Sequence, residues 1–176
     1  MRFGPTVRAR SASSLSVAVY ADRSSEKANQ GDLFANAELE RPYLNVKTSM
    51  VMLISHDCDC DKYLQPKTPL TELETHEWRV TVALVHPLSQ LTGGRKHAAR
   101  EDQMPRYFPL PQEGGMEYLV ADLWTVQPMR MAYLLECERV ASLSDEWRTR
   151  LWWKIIRLRL GGNYRQILEA PVPDAA

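Results

Sequence analysis

The spacing of apolar residues along the chain changes character once, near residue 141. Before it, the apolar runs are short and broken by turn residues. Gln30-Gly31-Asp32-Leu33-Phe34 reads as a turn leading into a strand, and Arg41-Pro42-Tyr43 marks a break. Within Val46 to Ser55, Met50 to Ile54 are continuously apolar, as in a strand buried on both faces. Gln65 to Leu70 carries Pro66 and Pro69 and reads as loop. Trp78 to Val85 is the strongest strand, rich in β-branched residues and closed by Pro87. Gly93 to Arg106 reads as a polar, basic loop, and Tyr107 to Pro111 as an edge strand, because its two prolines donate nothing to a ladder. Glu117–Trp124 and Met129–Glu136 read as two more strands around Gln127-Pro128. The period then becomes helical. Ser144 is a suitable N-cap, Asp145 and Glu146 suit the first turn, and Gly161-Gly162 is a stop signal after Leu160. Strands followed by one long helix predict an α+β chain, mainly β: a small antiparallel barrel or curled sheet with a long C-terminal helix. The divisions are a flexible arm over 1–29, the barrel over 30–140, the helix over 141–170 and a tail over 171–176.

That helix has two apolar faces. At 100° per residue Trp147, Leu151, Ile155 and Leu158 form one stripe, with Trp152, Trp153, Ile156 and Leu160 on another side. Arg150, Lys154 and Arg157 form one seam between them, Arg148 and Arg159 the other. Three uses fit the Trp147–Leu160 helix: burial within its own chain with arginine stems at the surface, a homodimer or protein-partner interface, or a basic face that grips phosphates.

Composition narrows these uses. In 176 residues, 22 Lys and Arg balance 22 Asp and Glu, so any grip on a polyanion must be local. Cys58, Cys60 and Cys137 are an odd, badly spaced set for disulfides, which points to a reducing, cytoplasmic location. No apolar run approaches the ~20 residues that cross a bilayer. Arg2, Arg8 and Arg10 precede the first acid, Asp22, among several serines; this start fits a disordered arm, an edge strand, a transit segment or a start codon assigned too far upstream.

The most chemically loaded stretch is His56-Asp57-Cys58-Asp59-Cys60-Asp61. If the preceding strand continues, His56, Cys58 and Cys60 share one side and the three aspartates the other. Asp57 and Asp59 are then candidate ligands for Mg²⁺ or another divalent metal. His56 with the cysteines has ligand types suited to zinc, at a spacing that only a turn would gather. Without metal, His56 beside Asp57 is a candidate base, and the run also fits a solvated strand end. The basic loop offers Arg95, Lys96, His97, Arg100 and Arg106 as candidate nucleic-acid contacts, interrupted by Glu101 and Asp102.

Three segments, in order, resemble the MazF/PemK-type toxins, which are small SH3-like barrels. They are Gly31-Asp32-Leu33-Phe34, then Arg41-Pro42 followed by Val51 to Ser55, then Val80 to Val85 followed by Pro87-Leu88-Ser89. The resemblance covers residues 30–89. It implies an SH3-like barrel, RNA as partner, and Arg41 and Ser89 as the residues serving RNA cleavage. Ser55 to Asp59 also resembles a stretch in bacterial proteins of similar size, from which no activity carries across. Three function classes stay open: a toxin-like or RNA-binding module, a metal-dependent or acid-base hydrolase using His56, Asp57 and Asp59, and a non-catalytic homodimeric interaction protein.

Overall fold

A computed structural model describes residues 18–21, 27–38, 49–66, 69–113 and 115–159. Among these, the strands are β1 (Tyr20–Ala21), β2 (Asp32–Ala37), β3 (Ser49–Leu53), β4 (Arg79–Pro87), β5 (Tyr107–Leu110), β6 (Leu119–Arg130) and β7 (Glu138–Leu143). The helices are α1 (Asp57–Leu64), α2 (Glu72–Glu77), α3 (Gly94–Arg100), α4 (Met131–Glu136) and α5 (Asp145–Arg159), with a 3-10 turn at Leu88–Gln90. The strands form one antiparallel sheet in the order β1-β7-β2-β3-β4-β6-β5. The chain is α+β and mainly β.

Alternation sorts the strand residues onto two apolar layers. Leu33, Met52, Ala83, Val85, Leu119 and Ala121 face an inner core that α5 closes with Trp147, Leu151 and Ile155. Phe34, Val51, Leu53, Val80, Val82 and Leu84 face an outer layer covered by Cys60 of α1 and by Met131 and Leu134 of α4. Two-sided burial explains why β3 and β4 read as nearly unbroken apolar runs. The sheet also curls until its edges meet. Glu113 Oε2 accepts from the Val19 and Tyr20 amides of β1's edge (2.6 and 3.3 Å), and the Tyr20 hydroxyl donates to Pro111 O (3.4 Å). A carboxylate here replaces the ladder that would close the barrel, which suits an edge strand containing Pro109.

Several expectations are corrected. His56 to Asp61 does not continue the strand. His56 is extended (φ −65°, ψ 149°) and caps α1, its Nδ1 accepting from the Cys58 amide (3.3 Å). Asp57 and Asp59 lie at the positive end of the helix and Lys62 at its negative end. Cys60, Tyr63 and Leu64, spaced i, i+3, i+4, give it an apolar side. Gly93 to Arg106 is not all loop, because α3 forms over seven residues and buries Ala99 against Leu88, Tyr107 and Val120. β6 is one long strand that passes through Gln127-Pro128, and Met131–Glu136 is helix, with Met131 and Leu134 inward. β7 fills the gap before α5. Residues 18–21 and 27–29, assigned to the arm, belong to the fold: Val19 and Ala28 are both buried. Arg41, Val46, the rest of the arm and residues 160–176 lie outside the described residues. The three cysteines are free, and among the described residues no helix is long and apolar enough to cross a membrane.

Candidate functional site

Two surfaces carry the candidate side chains. The first is an open cleft of about 370 Å³ where the start of α1 faces α5, lined by Gln30, His56, Asp57, Asp145, Arg148, Thr149, Trp152 and Trp153. His56 and Asp57 both reach it, but Asp57 is already engaged. Its Oδ1 accepts from the Gln30 amide (2.6 Å), and its Oδ2 lies 3.6 Å from Arg148 Nη1. Arg148 is shared with Asp145. His56 Nδ1 meets Cys58 Sγ at 3.1 Å as well as the Cys58 amide.

The helix also separates the candidate metal ligands. Residues two apart on a helix point about 200° apart, so Asp57 turns to Gln30 and Arg148 while Asp59 pairs with Lys62 (3.5 Å) and Asp61 with Lys27 (3.5 Å). Cys60 is buried, and burial together with Asp57, Asp59, Asp32 and Asp61 pushes its thiol up to about 12. Among the described residues no group of three or more His, Cys, Asp or Glu is placed to hold a metal ion.

Ser89 is exposed on the 3-10 turn after β4. Its intended companion Arg41 lies outside the described residues. Met50 pairs with Val85, so β3 begins at the end of the sheet where β4 runs toward Ser89.

The second surface is basic. Arg95, Lys96, His97 and Arg100 are exposed on α3. α5 lies alongside, joined through the buried ammonium of Lys154, which bonds the Asp102 carboxylate just past α3. Burial pushes the Lys154 ammonium down, Asp102 opposes that shift, and Arg150 and Arg157 reinforce it. Tyr118 lies at the same place. Its hydroxyl donates to Arg100 O (3.1 Å), and the Arg100 guanidinium lies over its ring, 5.8 Å from the centroid. Its phenol is raised, chiefly by burial and further by the Glu101 and Asp102 carboxylates, against the charges of Arg100 and Arg150, which lower it. Among the described residues, Arg95, Lys96, Arg100, Arg150 and Arg157 make no ion pair. A chain of zero net charge thus gathers uncompensated cations on two adjoining helices.

Arg106, read as a fifth contact from the basic loop, is held by a buried carboxylate. Its Nε and Nη2 bond both oxygens of Asp122 (2.9 and 2.5 Å). Asp122 is 1% exposed and sits where the β4–β6 register slips between Ala83 and Leu84. It also accepts from the Trp124 and Thr125 amides (3.1 and 3.2 Å) and from the Thr125 hydroxyl (2.8 Å). Burial alone would raise this carboxyl; the bonds from Arg106, Thr125 and Trp124 outweigh it and hold the carboxyl below its usual range. The sequence reading passed over Asp122, Tyr118 and Trp124. An aspartate inside a strand, in Asp122-Leu123-Trp124-Thr125, was the available signal, since Asp readily bonds amides two and three residues on.

No protein-family model matches the chain, and no relative is found among curated proteins. A solved MazE–MazF complex from Deinococcus radiodurans contains a chain similar to this one at a TM-score of 0.44 and 12% identity, covering 78% of this chain and 98% of that one. A likeness at that level carries no residue role across.

Proposed function

We propose that the chain is a MazF/PemK-like module that binds single-stranded RNA through the basic surface of α3 and α5. One observation carries this: Arg100 of α3 and Arg150 of α5 both act on Tyr118, and neither they nor Arg95, Lys96 and Arg157 of the same two helices make an ion pair among the described residues. Cations beside an aromatic ring suit a strand whose phosphates and bases are both accessible. RNA as the ligand follows the sequence resemblance of residues 30–89. On that resemblance Arg41 and Ser89 serve cleavage, with no metal required.

The test is fluorescence anisotropy with a labelled oligouridylate, repeated on total RNA with and without EDTA. Arg100→Glu and Arg150→Glu are each expected to weaken binding about tenfold or more, and Lys62→Glu, on α1, to leave it unchanged. Cleavage, where seen, persists in EDTA and disappears in Ser89→Ala and Arg41→Ala. Binding insensitive to both charge reversals defeats the proposal.

A second reading, homodimerisation through α5, draws on its outward side. The Trp147, Leu151 and Ile155 stripe is spent on the chain's own core, yet Trp152 is 37% exposed and meets Trp153 edge-on at 5.1 Å. Sedimentation of the wild type against Trp152→Ser distinguishes a dimer from a monomer.

A further inference from the structure

Trp124 is 65% exposed, and Val126 beside it is 43% exposed, on a strand whose first five residues, Leu119 to Leu123, are buried. The fold gains little from such a tryptophan, yet its backbone is held with care. The buried Asp122 carboxylate accepts from the Trp124 and Thr125 amides, so the register slip of β6 is pinned at the residue that carries the exposed indole. The Arg106 guanidinium, fixed by the same carboxylate, lies over the indole at 5.7 Å from its centroid and over Tyr107 at 5.1 Å. Tyr107 packs in turn with Ala99 of α3, so this aromatic–cation stack adjoins the helix that carries Arg95, Lys96 and Arg100.

We infer that Trp124 is a stacking platform for one unpaired nucleobase of a strand whose phosphates run along the basic surface. The inference rests on the RNA-binding reading and deepens it. A planar indole on a pinned backbone loses little freedom when a base stacks on it, and stacking accepts any base because each presents a π-face. The neighbouring cations favour a polyanion over an apolar protein face as the occupant. Arg106, bound to Asp122, acts through Trp124 as a positioning residue.

The probes are an oligouridylate of about 12 nucleotides, within the span one small barrel covers, and an abasic ribose-phosphate oligomer of equal length. The wild type is expected to prefer the uridine oligomer by about tenfold. Trp124→Ala removes that preference and leaves abasic binding and its salt dependence unchanged; Trp124→Phe restores most of it. Circular dichroism checks that both variants fold. Equal wild-type binding of the two probes overturns the platform while leaving the RNA reading intact, and so does undiminished uridine binding by Trp124→Ala. Failure to bind either probe overturns both. So does a wild-type dimer that Trp124→Ala dissolves without any probe binding, since Trp124 would then be a protein contact.

Discussion

A Cβ added at Gly31 would stand 2.9 Å from Leu143 Cδ1, on a backbone at φ +89°. Both the space and the conformation therefore demand glycine there. Gly31→Ala is expected to destabilise by about 2–3 kcal/mol, read as a lowered urea midpoint with unchanged slope. Asp122 makes a different prediction. Its folded carboxyl lies below the ordinary value of 3.8, so the folded state holds fewer protons than the unfolded chain in that range. The stability it contributes is complete above that ordinary value and fades as pH falls through the lower, folded one. Asp122→Asn should cost about 1–3 kcal/mol at neutral pH and flatten the loss of stability below about pH 4, measured by denaturation across a pH series. Equal acid sensitivity in variant and wild type would place that proton uptake elsewhere.

At the scale of elements, legibility followed burial. β3, β4 and β5 were readable because two-sided apolar runs and prolines leave few alternatives. α1, α3 and α4 were not, because six to eight residues give two turns at most and their helicity depends on what they pack against. Once α1 is helical, the alternation that put Asp57 and Asp59 on one side disappears, and the two carboxylates meet different partners. α5 was readable in outline, but the fate of its basic seam was not. Lys154 is buried while Arg150 stays out, its guanidinium 4.3 Å from the Trp147 ring centroid, because Asp102 reaches Lys154 from another part of the chain. Asp102 sits at φ +55°, a conformation that Asn also tolerates, so Asp102→Asn removes the charge without straining the backbone. It should destabilise by about 1–3 kcal/mol, and Lys154→Met in the same background should recover most of that in thermal melts, because the buried ammonium is then gone too.

The whole molecule is a curled sheet that segregates charge. The acidic start of α1 is satisfied by Gln30, Arg148, Lys62 and Lys27, whereas the cations of α3 and α5 stay uncompensated among the described residues. Zero net charge concealed this, since composition cannot show which charges are paired. The sequence did single out Arg95, Lys96, His97, Arg100, Arg150 and Arg157; that Arg100 and Arg150 both reach Tyr118, beside the Lys154–Asp102 contact, depends on the fold. The salt dependence of RNA binding tests the central claim most directly, because each phosphate neutralised on a single strand contributes about −0.7 to the slope of log K against log salt. The account predicts a wild-type slope of about −2 to −3.5, reduced in magnitude by about 1.4 when Arg100 and Arg150 are both replaced by Gln. A slope near zero, or one that the double variant leaves unchanged, would contradict it.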